Sequence, residues 1–384
     1  MAAKTETPRQ RLFREVAERG DISISALAYA LGVKPPSLVK NLRPLVKKGL
    51  LVFGQGRTRV GVNPGLGYVI GIDLGSSHLH FALADFQGEI LQDAVVKIRP
   101  EDGPRELIAQ IKQGARNLAD KAGHGRLQAV GIGVPSAVDR EQGIVAWANN
   151  LPGWKDIRLG RELGKEFRVP VFMENDANMA ALGEHWRGVA QGVDSFVFIA
   201  LGTGIGSGVF VDGKLYRGRS GWAGEVFRMN IEWQRWQEDF GDSGHLESCV
   251  SGMAIAAEGR KLLSTPEQGE PSGLAQERDA YFVFRSFHQG SLEARRVLEK
   301  TFTLLGVGIA NVVAVLDPEL IVLGGGIAKG APEFMLVTVE KVVHTLQREI
   351  APPIKLSALE DKAQTYGAIN SALSVAREAI ARRL

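Results

Sequence analysis

With one cysteine among 384 residues, the chain can form no intrachain disulfide, which points to a reducing compartment. No uninterrupted apolar run approaches the ~18 residues of a membrane span. The first residues, "MAAKTETPRQRLFREVAERG", are charged and lack an apolar core, so they are not read as a secretory signal. The 45% hydrophobic and 23% charged fractions are those of an ordinary globular protein, and the length predicts two or three domains. The expectation is a soluble, cytoplasmic protein with no membrane partner.

Acidic residues are scarce in one region. Residues 1–64 hold twelve Lys and Arg against Glu6, Glu15, Glu18 and Asp21, a balance of +8 that leaves −5 for the rest of a chain of formal charge +3. Such asymmetry suggests a basic, nucleic-acid-facing head on an acidic body. In the head, Leu12, Val16 and Ala17 lie at helical spacing and Gly20 ends that helix. "SISALAYALGV" predicts a second, short helix, and a third starts at about Pro36, with Leu38, Leu42 and Leu45 inward and Ser37, Val39, Lys40 and Arg43 outward. Pro44 leaves the length of this third helix open. "LLVFGQGRTRVGV" alternates as a two-stranded hairpin whose tip carries Arg57 and Arg59. Residues 1–65 therefore read as a winged helix-turn-helix domain, with the third helix for the major groove of double-stranded operator DNA and the wing for phosphates. Helix-turn-helix proteins commonly read paired half-sites, so a homodimer is expected. A small protein-interaction module with solvated charges is the alternative.

From Tyr68 onward short apolar strands end in glycine turns, and helical segments at 104–121, 251–263, 291–315 and 363–382 alternate with them, the pattern of an α/β body. Glycine turns at strand ends let main-chain N–H groups converge on an anion. Three occur: "DLGSS", "LGTGIGSG" and "LGGGIAKG".

Together with "GIGVPSAVDREQGIVAWANNLPGW", "ENDANMAALGE" and "GWAGEVFRM", these turns closely resemble the ROK family of repressors and sugar kinases, from about residue 66 to the end. The resemblance implies a two-lobed actin/sugar-kinase-like (RNase-H-like) body with a sugar in the cleft. Lobe I would be 66–178, completed by the helix at 363–384, and lobe II 179–362. It implies Asp73, Gly75, Ser77, Gly202, Thr203 and Gly204 for phosphate, Gly324, Gly325 and Gly326 for adenosine, and Asn175, Asp176, Glu225 and Glu247 for sugar, with Asp176 the base of any kinase reaction. Asn175 and Asp176 are equally the residue types that cap helices. Ser77 and His78 stand where the kinases usually have threonine and often lysine. The reading is a sugar-responsive repressor of carbohydrate genes with no cofactor, the alternative being an ATP-dependent sugar kinase using MgATP.

"DFGDSGHLESC" resembles the zinc knuckle of that family with its ligands replaced. The resemblance puts Arg228, Glu238, Phe240 and His245 at the four ligand positions, a set that cannot close a tetrahedral zinc site. Two consequences follow as expectations: Arg228 projects toward the effector and selects an anionic sugar derivative, or Arg228 pairs with Glu238 as a clamp in place of the metal. Trp222, Trp233 and Trp236 bracket the loop, for packing or for stacking on a sugar face.

Overall fold

A computed structural model describes residues 6–99, 101–121, 126–148, 151–262 and 279–384. The chain divides into two compact units, 1–176 with 365–384, and 177–364. The head belongs to the first unit rather than standing apart.

In the head, α1 (Pro8–Arg19), β1 (Ile22–Ser23), α2 (Ile24–Ala30) and α3 (Pro35–Lys47) precede a hairpin of β2 (Leu51–Phe53) and β3 (Arg59–Val62). Thr7 and Gln10 form a capping box on α1, and the Ser23 hydroxyl caps α2. Three strands pair in the order β1-β3-β2, one more than the expected hairpin. Phe13, Leu27, Leu38, Leu42 and Leu45 close a small core. α3 runs unbroken through Pro44 to Lys47, because this core holds the helix on its leucine stripe despite the missing hydrogen bond.

The rest of the first unit is β4 (Tyr68–Leu74), β5 (His78–Asp85), β6 (Ile90–Lys97), α4 (Pro104–Lys121), β7 (Leu127–Val134), β8 (Ala137–Asp139), β9 (Ile144–Trp147), β10 (Lys155–Ile157), α5 (Leu159–Phe167) and β11 (Val171–Asn175). The main sheet has the order β11-β7-β4-β5-β6. α4 lies on one face, where Gly114 abuts the Phe81 ring. On the other face Gly131 meets the Ala368 carbonyl and Gly71 meets Ile369, so closely that a Cβ at either would overlap them. That second helix is the last of the chain, over Ala363–Ala381.

The second unit begins with α6 (Asp176–Arg187), whose first residue is the last of the first unit, and continues through β12 (Phe196–Leu201), β13 (Ile205–Val211), β14 (Lys214–Tyr216), α7 (His245–Val250), α8 (Gly252–Leu262), α9 (Ala280–His288), α10 (Leu292–Leu316), β15 (Leu320–Gly324), α11 (Gly326–Gly330), α12 (Pro332–Gln347) and β16 (Ile354–Leu356). α13 (Ala363–Ala381) then carries the chain back into the first unit. Its sheet has the order β14-β13-β12-β15-β16. α10 is long and apolar enough to cross a membrane by composition, but Phe302, Leu305, Ile309 and Val313 are buried in the core it shares with Met335, Val339 and Val343 of α12. α12 has no counterpart in the sequence reading: Val337, Thr338, Val339, Val342, Val343 and Thr345 make it β-branched and poor in intrinsic helicity, and packing on α10 overrides that preference.

Candidate functional site

In the first unit, parallel register places Asp73 opposite Gly133 and Asn175 opposite Val134, so both residues sit at one end of the main sheet. Asp73 is buried. The turn after it is closed by the Gly75 N–H, which donates to the His78 carbonyl at 2.9 Å. Ser77 Oγ lies 3.2 Å from His78 Nδ1, and His78 Nε2 is 4.0 Å from Asp73 Oδ2. The hydroxyl of this phosphate-type loop is therefore engaged by the imidazole beside it.

Asn175 ends β11 and Asp176 opens α6, both half-buried. The Asn175 amide donates to the Ser136 carbonyl at 3.4 Å, and the Ser136 hydroxyl donates to the Trp147 carbonyl. Glu174, passed over in the sequence, is buried, accepts the Asn175 N–H at 3.1 Å and faces Arg140 Nε at 3.6 Å. A charged residue inside an apolar strand, "VFMEN", was the available signal.

In the second unit, Gly202, Thr203 and Gly204 form the turn between β12 and β13. The Gly202 N–H donates to the Gly204 carbonyl, and Thr203 is exposed. One oxygen of Glu247 accepts the Ile205 N–H at 2.8 Å, and a Cβ on Gly204 would stand 2.6 Å from it. Glu247 is thus fixed against the loop. Glu225 opens a 3-10 turn over Val226–Arg228, and the preceding Gly224, at φ +91°, packs on the Ser207 carbonyl, where a side chain would not fit. At the end of β15, Gly324 faces the Phe198 ring and Gly325 the Leu201 carbonyl so closely that a Cβ at either would overlap them. Close approach of β15 to β12 is therefore one reason for these two glycines, independent of any nucleotide; Gly326 opens α11.

The knuckle loop corrects one expectation. Glu238 does not pair with Arg228; Arg235 takes it in a fork, Nε to Oε1 at 2.9 Å and Nη2 to Oε2 at 2.6 Å. The two are three residues apart on one turn, whereas Arg228 lies before it. The fork holds the Glu238 carboxyl below its usual range. Arg235 also lies 5.0 Å over the Phe240 ring, and that ring is 4.9 Å from the buried His245 imidazole. His245 Nδ1 accepts the Ile231 N–H at 3.1 Å, and Cys249 Sγ lies 3.4 Å from Nε2. Burial, then the Arg235 charge, lowers the His245 pKa. Burial raises that of Cys249, which leaves it an unreactive thiol.

These residues do not fit zinc. Arg235 Nη1 stands 3.3 Å from His245 Nε2, a fixed cation where a metal would need a lone pair. Among the described residues no three His, Cys, Asp or Glu side chains gather to hold an ion. Among the described residues, Arg228 has a 4.0 Å approach to Glu225 and ring contacts with Phe227 at 5.3 Å and Trp222 at 6.0 Å. Trp233 and Trp236 are 77% and 70% exposed, so neither packs into the core.

Of the outward residues of the head, Ser37, Lys40 and Arg43 are exposed and Val39 is half-buried. Arg57 stands in the turn between β2 and β3, while Arg59 opens β3 and is held by the Asp21 carboxylate at 2.6 Å. Of the expected wing-tip pair, Arg59 is thus tied to the base of the wing.

Residues 69–374 match the ROK family. The chain belongs to the ROK family. Among ROK relatives, it is 29% identical to the xylose repressor of Caldicellulosiruptor bescii over 86% of each chain. It is 33% identical to the glucokinase of Thermotoga maritima, over 72% of this chain and 87% of that one. Its structure is similar to that of a ROK family transcriptional regulator described as a homolog of the E. coli MLC protein, with TM-score 0.80 and 26% identity, covering 98% of this chain and 97% of the other.

Proposed function

We propose that the protein is a cytoplasmic, sugar-responsive transcriptional repressor of carbohydrate-metabolism genes that binds double-stranded operator DNA as a homodimer. The observation that supports this most is coverage: the ROK match starts at residue 69, and the likeness to a ROK transcriptional regulator extends over 98% of this chain, head included, while the glucokinase accounts for 72% of it. The head has the element order of a winged helix-turn-helix, and α3 offers Ser37, Val39, Lys40 and Arg43 to the major groove, with Arg57 at the wing.

The effector is a sugar recognised by Glu225, Arg228 and Glu247 of the second unit, and Asn175 and Asp176 of the first unit are side chains of the same hydroxyl-binding type. Carboxylates and an amide suit hydroxyl groups, which need acceptors. Regulation requires the sugar to favour one DNA-binding state over the other. α13 is suited to carry that preference, since it starts where the chain re-enters the first unit and its far end holds the head.

DNA binding tests the reading. Affinity for DNA upstream of the gene falls as salt rises, and Lys40→Ala weakens it while reducing the salt slope by about one. A protein whose binding to that DNA showed no salt dependence would not be this regulator. Similarity to a glucokinase favours a second reading, a sugar kinase with Asp176 as base, in which the loops at Asp73 to Ser77, Gly202 to Gly204 and Gly324 to Gly326 take MgATP. MgATP-dependent sugar phosphorylation that Asp176→Asn abolishes establishes it.

A further inference from the structure

We propose that Arg228 selects a sugar acid as the effector, its guanidinium gripping the ligand's carboxylate. The proposal rests on Glu225 and Glu247 being sugar contacts, as read above, and deepens that reading by naming the ligand class.

Three observations of the second unit carry it. First, Arg228 is placed among the sugar contacts by the backbone. Its N–H donates to the Glu225 carbonyl at 3.1 Å. The next residue, Met229, accepts at its carbonyl the N–H of Leu246, the residue before Glu247, also at 3.1 Å. Gly244 lies against the Arg228 backbone, where a Cβ would stand 2.6 Å from its Cα. Glu225, Arg228 and Glu247 are thereby tied to one patch, and β13 holds it at two points: the Ile205 N–H donates to the Glu247 carboxylate, and the Ser207 hydroxyl donates to the carbonyl of Gly224, the residue before Glu225.

Second, Arg228 is not consumed by the fold. The acid that would have clamped it, Glu238, is forked by Arg235. Its approach to Glu225 is 4.0 Å, longer than a hydrogen bond, and 47% of its side chain is exposed. The Phe227 and Trp222 rings bound the guanidinium and limit its orientations.

Third, the chemistry is mismatched to a neutral sugar alone. Sugar hydroxyls donating to Glu225 and Glu247 are served by the carboxylates, whereas a guanidinium offers only donors and needs an acceptor. A planar carboxylate matches it in a two-pronged bond. Two glutamates and one arginine leave the patch at −1, so an anionic group is admitted only where it meets the guanidinium itself; a carboxylate then adds one like charge and a phosphate dianion two, which favours the carboxylate.

The experiment measures thermal shift and calorimetric affinity of the full chain against D-glucose, D-xylose and D-galactose, the uronic acids of glucose and galactose, and the 6-phosphates of the same two hexoses. Arg228→Gln and Arg228→Lys are compared with wild type, and the ligand-free melting temperature serves as a fold control. The expected result is binding of a uronic acid that tightens at low salt, is weakened roughly 10- to 100-fold in Arg228→Gln, and is partly retained in Arg228→Lys. Binding of neutral sugars that is unchanged by Arg228→Gln overturns the role of Arg228 and leaves the sugar site standing. A 6-phosphate that binds best and is lost in Arg228→Gln overturns the carboxylate assignment. No shift from any sugar class overturns the sugar site itself.

Discussion

Arg377 holds the N-terminal head from within the first unit, whereas Arg235 holds the knuckle loop of the second from its surface. On α13, Arg377 donates to the Ala17 carbonyl at 3.0 Å and to the Phe86 carbonyl at 2.6 Å. Ala17 lies in the last turn of α1, where helix carbonyls have no partner along the helix, so the guanidinium caps the first helix. Burial pushes the Arg377 pKa down to about 10, and its Nε is buried with no partner among the described residues. The neighbouring Glu378 forks Arg14 of α1 with both bonds at 2.8 Å, at the surface. In the knuckle the fork of Arg235 on Glu238 is open to solvent, and the buried member is His245. An exposed ion pair gains little because water screens it, while a buried donor leaves unpaired acceptors when it is removed. The comparison teaches that the ion pair most visible in each region is the weaker fastening.

The sharpest way to break this contrast is Arg377→Met. It orphans two carbonyls and should destabilise the protein by roughly 3 kcal/mol, seen in urea unfolding, with faster proteolysis between the head and β4. A loss no greater than that of Arg14→Ala would remove the distinction. His245→Ala comes next, at roughly 2 kcal/mol, because it deletes a buried ring and leaves the Ile231 N–H unpaired. The exposed Trp233 and Trp236 report the loss as a change in fluorescence.

Acid separates the two regions. The folded His245 pKa lies below its ordinary 6.5, so its contribution is complete above that value and is lost as pH falls through the depressed one. Arg14 likewise holds Glu378 below its ordinary 4.5, so the contribution of that pair is complete above 4.5 and is lost as pH falls through the depressed value. Tryptophan fluorescence should therefore report loosening of the knuckle as pH falls below 6.5; a signal that stays constant until the whole protein unfolds would show the knuckle does not depend on neutral His245. The smallest effect is expected of Glu238→Lys, which should shift global melting little and leave the loop's fluorescence near wild type, since the exposed fork is the lesser restraint.

Much of the architecture was legible because it rests on local chemistry. The leucine stripe of α3, the glycine turns and the strand runs each announce themselves within about ten residues. So do the motifs that carry the ROK likeness. α12 was not legible, since its β-branched residues speak against a helix until α10 is beside it. The charge of Glu174 stands out inside "VFMEN", but its partner Arg140, thirty-four residues away in sequence, is brought to it only by the fold.

What the sequence determined by itself, then, was the basic head, the α/β body, the family motifs and the unfitness of the knuckle for zinc, all fixed by residue type and short spacing. Tertiary structure alone decided which arginine meets which acid. Arg228 was the partner expected for Glu238, and the turn that begins with a 3-10 helix over Trp233–Arg235 gave it to Arg235 instead. Arg377, seven residues before Leu384, found its partners at Ala17 and Phe86. Such pairings depend on where the folded backbone brings side chains within reach, and charge without position does not specify them.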